Sequence, residues 1–341
     1  MRTTFVAFAL LTMAWVALAG GGAATDVVEL VDQTGAVVRI ERPVARIASV
    51  YGMGTFYLYT LGVEDRLVAG WYLGVKGIGQ ASEAMFRLEP RLEEILLFGE
   101  PSVEELVARG AQLILVDGSR HAAFAERMRE VGIPVIQYLV ETPEALLDAV
   151  RLTARVFGPE ADARAEAFAA DYERVFDTVH DELLALSDEE RARVLFVGTS
   201  PLRVASGDMY QTHLIEAAGG RSVTDHLFGY WNAVSLEQVL LWDPDVILIP
   251  PYGPVRPSDL LESADWGAVR AVREGRVFKM PRLIAAMDAP VPESLLGIVW
   301  IANILYPELV SLGLPDEAMH FYETYYGFTV TEEDLSLLTE R

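Results

Sequence analysis

The sequence predicts an α/β protein of two doubly wound lobes with mainly parallel sheets, joined by one long helix, with a ligand cleft between the lobes. Three observations lead there. One helix-and-strand unit occurs twice, its copies lie within the same series of strands and helices, and a single long amphipathic stretch separates the halves.

The two copies are Ser102 to Val116, SVEELVARGAQLILV, and Ser235 to Ile249, SLEQVLLWDPDVILI, which align without a gap. Self-similarity is the signature of a repeated structural unit and decides the architecture here. Each copy opens with a serine followed three positions later by Glu105 or Gln238. That is the capping-box pattern of a helix start, in which the hydroxyl and the longer side chain satisfy two amides the helix leaves unpaired. Each copy closes on a continuous apolar run, Leu113 to Val116 or Val246 to Ile249. A short unbroken apolar run beside a helix reads as a parallel strand covered on both faces.

The elements follow in order. Arg2 precedes a run from Phe5 to Ala19 that is apolar apart from Thr12 and ends in Ala17-Leu18-Ala19. A basic start, an apolar middle and small residues at the end make residues 1–24 a secretory signal peptide, with cleavage after residue 19 or 24. The run is shorter than the roughly 20 residues that span a bilayer, so no membrane anchor is expected. Residues 25–158 form the first lobe. RIASVYGMGTFYLYTLGVEDRLVAG, from Arg46, supplies strand, loop, helix, glycine stop and second strand; the first copy of the unit follows, then a helix and GIPVIQY.

Residues 159–187 are the interlobe helix. Phe168, Tyr172, Val175, Val179 and Leu183 recur at spacings of three and four, so one stripe is apolar and the rest faces water. At 1.5 Å per residue it would be roughly 40 Å long, enough to cross the back of both lobes. Residues 188–341 repeat the first lobe: RVLFVGTSPLR and THLIEAAGGRSVTD, the second copy of the unit, a helix and GRVFKMP. Each half is thus an open parallel sheet of about four or five strands flanked by helices. The tail, from Pro292 to about Pro307 and from Asp316 to Leu338, reads as helices closing the second lobe.

Composition narrows the function. The chain has no cysteine, which removes disulfides, thiolate metal sites and thiol nucleophiles, as well as the cysteine that a lipid-anchored export signal needs. Net charge is −23, and −24 once the single positive charge of Arg2 is lost with the signal. Nucleic acid and anionic lipid need a basic face, so neither is expected as a partner. Gly52-Met53-Gly54 follows a strand as in a dinucleotide-binding turn, but Tyr57 stands where the third glycine belongs, and Glu64 and Asp65 come too early for the ribose. There is no Gly-x-Ser-x-Gly elbow, phosphate loop or His-Glu-x-x-His helix, so no enzyme is expected.

The residues now on the page resemble the helical-backbone class of periplasmic binding proteins, which serve importers of ferric siderophores, haem and cobalamin. The resemblance covers nearly the whole chain after the signal: VVELVDQTGAVVRIERPVARIASV, the paired helix-strand units, LIEAAGGRSVTD, WNAVSLEQVLLWDPDVILI and FYETYYGF near the end. It implies a periplasmic monomer with no intrinsic cofactor that captures a metal chelate and delivers it to an ABC permease driven by a cytoplasmic ATPase. It also implies that a glutamate on each lobe's rim meets arginines of the permease. The matching positions are Glu104 and Glu237, which the internal repeat makes equivalent. A carboxylate at the second position of a helix is also favoured by the positive helix end, whatever docks there.

In open parallel sheets ligands bind beyond the carboxyl ends of the strands. In the first lobe those loops start at Tyr51, Trp71 and Asp117 and carry Tyr51, Met53, Trp71, Tyr72, Lys76, Arg120 and His121. In the second they start at Gly198, Pro250 and Leu283, with another around Tyr230, and carry Ser200, Arg203, Tyr210, Tyr230, Trp231, Tyr252 and Met287. Aromatic rings with a few cations suit a large, planar or catecholate-like anion. A bare divalent ion is an alternative ligand and would need His121, His213 and His226 to converge with an acidic residue, since His180 and His320 fall on helices. An oxyanion such as molybdate, held by backbone amides and Arg120 or Arg203, is another. An exported interaction module that kept the fold and lost the ligand is a third.

Overall fold

The computed structural model describes residues 26–75 and 77–339; the signal segment and the candidate Lys76 lie outside the described residues. The chain opens with a hairpin, β1 (Asp26–Val31) and β2 (Val37–Arg42). Its turn is set by Asp32, whose carboxylate accepts hydrogen bonds from the backbone of Thr34 and Ala36.

The first lobe continues with β3 (Ile47–Val50), α1 (Gly54–Thr60), β4 (Leu67–Gly70), α2 (Glu83–Leu88), α3 (Leu92–Ile95), α4 (Val103–Ala108), β5 (Leu113–Asp117), α5 (Ala122–Glu130), β6 (Val135–Tyr138) and α6 (Pro143–Ala154). Its sheet is parallel, in the order β4-β3-β5-β6. The long helix α7 (Pro159–Glu182) leads to the second lobe: β7 (Arg193–Phe196), β8 (Arg203–Val204), α8 (Tyr210–Ala217), β9 (Arg221–Ser222), β10 (Asn232–Ala233), α9 (Leu236–Trp242), β11 (Val246–Ile249), α10 (Pro257–Leu261), α11 (Arg270–Arg273) and β12 (Val277–Lys279). Its main sheet is parallel too, in the order β9-β7-β11-β12. The two lobes therefore share one topology, with the second strand at the edge, then the first, third and fourth.

The repeated unit folds the same way twice. The Ser102 hydroxyl accepts from the Glu105 amide at 3.0 Å and the Ser235 hydroxyl from the Gln238 amide at 3.3 Å. The return half of the expected box is not made at Glu105, whose carboxylate instead accepts from Arg109 one turn on. Side-chain alternation matches as well. Leu113 and Leu115 of β5, and Val246 and Leu248 of β11, point into one large core, while Ile114 and Val116, and Ile247 and Ile249, point into two separate outer cores.

That large core is shared between the lobes. It contains the buried stripe of α7, with Phe168, Tyr172, Val175 and Val179. The helix stops at Glu182, shorter than the sequence suggests, residues 183–185 form a turn, and Ser187 binds the Glu190 carboxylate in the loop that follows. The tail forms α12 (Ser294–Leu305), α13 (Leu314–Tyr326) and α14 (Glu332–Thr339). Contrary to expectation it does not close the second lobe alone. Tyr326 stacks on Phe56 of α1, Arg164 of α7 donates to the Tyr325 carbonyl, and Arg87 of α2 binds Asp334 through both carboxylate oxygens at 2.6 Å. Among the described residues no helix is long and apolar enough to cross a membrane.

Candidate functional site

The carboxyl ends of both sheets face one another. Several contacts among the described residues join the two lobes near these ends. The Arg120 guanidinium lies 5.8 Å from the centre of the Tyr230 ring. The Glu141 carboxylate, beyond β6, stands close enough to the Tyr210 amide and the Tyr230 hydroxyl for both to lower its pKa against the larger effect of burial. Ser82 donates to the Leu283 carbonyl at 2.9 Å, and Tyr57 to the Pro290 carbonyl at 3.0 Å. Finally, Gly74, at φ +80°, faces Arg282 so closely that a Cβ there would stand 2.6 Å from its guanidinium. The left-handed backbone favours glycine there, and the missing side chain leaves room for the guanidinium.

Several of the expected residues stand at or near the carboxyl ends of the strands. Arg120 and Tyr230 meet from opposite lobes. Trp71 sits edge-on to His121 at 5.4 Å and is held by a bond from its indole nitrogen to the Gly99 carbonyl. Trp231 lies over Gly198 and beside Phe196. Tyr252, half-buried, donates to Asp288 at 2.8 Å. Met53 is partly buried at the start of α1, while Ser200 and Arg203 are exposed on the turn before β8 and on β8 itself.

Others turn inward. Tyr51 is buried and stacked on Tyr138. Tyr72 bends back to share a hydrogen bond with Tyr59, and Tyr210 points down to Tyr172 and Ser294. Met287 has no exposed surface and its carbonyl abuts Gly297 of α12. In Tyr72 and Tyr210 the hydroxyls are already engaged by protein, so neither offers a free polar group to a ligand. The three histidines do not converge: His213 pairs with Glu216 on α8, His226 with Asp225, and His121 with Trp71. Among the described residues no group of three His, Asp or Glu is placed to hold a metal.

Three site residues escaped the sequence reading. Arg282, three positions beyond β12, is half-buried, and burial alone lowers its pKa, because no acidic group stands near it. Among the described residues it has no hydrogen-bond or ion-pair partner. Asp288 is fully buried beneath Tyr252; it accepts from Tyr252 and Gln211 through one oxygen, the other has no donor, and burial pushes its pKa up to about 6. Glu141 is the third, its pKa raised by burial. The available signal for Arg282 was its place directly after the GRVFKMP strand. Glu104 and Glu237 are exposed at equivalent positions in the first turns of α4 and α9. The Glu237 amide and the Ser235 hydroxyl hold the Glu237 carboxyl below the usual range, as a helix start does.

Comparison with known proteins agrees with this geometry. The molybdate-binding protein MolA of Haemophilus influenzae is 26% identical over 274 residues, 72% of this chain and 77% of that one. A vitamin B12-binding protein of Yersinia pestis is 25% identical over 205 residues, 60% of this chain and 69% of that one. The solved structure of the H. influenzae molybdate protein, described as cognate to an ABC transporter, superposes with a TM-score of 0.78 at 23% identity, over 89% of this chain and 99% of that one. These relatives are binding proteins by name, not enzymes. A family model described as periplasmic binding protein matches residues 47–283, and with two parallel lobes whose rims face each other the chain belongs to that family.

Proposed function

We propose that the chain captures an oxygen-rich, anionic metal species between its lobes and delivers it to the permease of an ABC importer. The observation that carries this reading is Arg282, a cation without a counter-charge, turned toward the opposite rim at Gly74. A partly desolvated guanidinium with no counter-charge is well placed to take an anion, whose oxygen atoms can bridge its donors. A small oxyanion of the molybdate type fits best: the rims stand close together at Gly74 and at Tyr230, and the similarity to a molybdate-binding protein supports it. A metal chelate, such as a ferric siderophore, haem or cobalamin, is the second reading, favoured by the rings of Trp71, Tyr230 and Trp231, which stack well on a planar ligand.

Thermal-shift and calorimetric titration with molybdate, tungstate, a ferric catecholate, haemin and cyanocobalamin distinguishes the two. At a hundredfold excess over Kd the true ligand stabilises the protein by about 2.7 kcal/mol. A response to no anionic metal species would sink the reading. For delivery, Glu104 and Glu237 are the proposed permease contacts. Glu104→Ala combined with Glu237→Ala is expected to abolish ligand uptake by cells while affinity in solution stays at the wild-type value; an equal loss of both would place the glutamates in the ligand site instead.

A further inference from the structure

Three helices, α6 of the first lobe, α7 and α8 of the second, enclose a groove of about 370 Å³. That volume is in the range of small-molecule sites. Its floor is apolar, made by Leu147, Tyr172 and Ala217, all buried, and one wall is Phe176, a phenylalanine 41% exposed on an otherwise polar face of α7. Its rim is acidic: Glu144 comes from α6, Glu173 from α7 and Glu216 from α8, and all three are exposed. No Lys or Arg lines it, and the one basic group, His213, already lies 3.5 Å from Glu216. Glu144 is near enough to raise the pKa of His213, after the larger effect of Glu216.

We propose that this groove is a second ligand site, for an organic cation with an apolar body, such as an arylalkylammonium. The chemistry follows from the two parts of the groove. An aromatic or alkyl body covers Leu147 and Ala217 and removes apolar surface from water. The ammonium then lies among three carboxylates and against the rings of Phe176 and Tyr172, whose faces attract a cation. A neutral molecule of the same shape forgoes both attractions, and a bare cation forgoes the burial.

The test is calorimetric titration of the purified protein with benzyltrimethylammonium, with tetramethylammonium and benzyl alcohol as the cation and the apolar body alone. The expected result is saturable binding at one site by benzyltrimethylammonium, weaker binding of both halves, and a loss of about tenfold or more in the triple variant Glu144→Gln, Glu173→Gln, Glu216→Gln. Phe176→Ala, also at an exposed position, should weaken binding as well, and thermal melts check that each variant is folded. No saturable binding, equal affinity for benzyl alcohol, or an unchanged affinity in the triple variant overturns the proposal. So does self-association of the wild-type chain that the triple variant abolishes, since the groove would then serve a second copy. None of these outcomes depends on which ligand the cleft takes.

Discussion

Arg282 is the residue on which the proposed capture of an anion turns. Its burial lowers its pKa with nothing nearby to compensate, so in the free protein it costs stability that a ligand can recover. Replacing it by glutamine, which keeps much of the bulk and loses the charge, should weaken binding of the anionic ligand by about 2 kcal/mol, roughly thirtyfold, as for a lost charged hydrogen bond. The same change should leave stability to urea equal to or above that of the wild type. A variant that binds normally, or that unfolds as readily as it loses ligand, would remove Arg282 from the site. This scale is where sequence reading was weakest. Strand ends marked the loops correctly, and Arg120, Trp71, Tyr230 and Trp231 stand on the rims, but a loop position does not say which way a side chain turns. Tyr72 and Tyr210 turn back to buried hydroxyl partners, and Arg282 precedes the loop where candidates were sought. Asp288 looked like any other residue of an acidic chain until Tyr252 and Gln211 were seen to enclose it.

Among the elements, the repeated helix-and-strand unit was the most legible, because each of its signals is local. A serine hydroxyl bonds an amide three residues on, and an apolar run is buried on both faces wherever the sheet is covered. Both caps formed, so each should carry similar weight: Ser102→Ala and Ser235→Ala are each expected to lower the unfolding free energy by about 1 kcal/mol in urea titration. If only one of the two is destabilising, the equivalence of α4 and α9 is geometric and not energetic. Contacts made at long range were the illegible ones. That Glu105 would choose Arg109 over the Ser102 amide, or that α14 would reach α2 through Asp334 and Arg87, depends on neighbours that spacing along the chain does not reveal.

For the molecule as a whole, the shared core joins the two lobes through α7 and the tail helices, which favours small adjustments over wide hinge motion. Beneath that core lie two fully buried carboxyl groups. Burial raises Asp288 to about 6 and Glu293 to about 7, although Tyr252 and Gln211 donate to the first and Tyr326 and the Ala285 amide to the second. Both folded values exceed the roughly 4 expected of an unfolded chain, so the folded protein holds more protons between those limits. The stability this brings is complete below about pH 4 and is lost as pH rises through about 6 and then 7. Each group should account for a change on the order of 3 kcal/mol across that window. Surface carboxylates of so acidic a chain impose slopes of their own, so the informative quantity is the difference between wild type and the isosteric variants Asp288→Asn and Glu293→Gln. Measured by urea unfolding from pH 4 to pH 8, each variant should gain on the wild type as pH rises from about 4 and then level off, Asp288→Asn above about pH 6 and Glu293→Gln above about pH 7. Parallel profiles for variant and wild type would mean that the two carboxyls ionise in the folded protein at the same pH as in the unfolded chain, and that their burial raises neither.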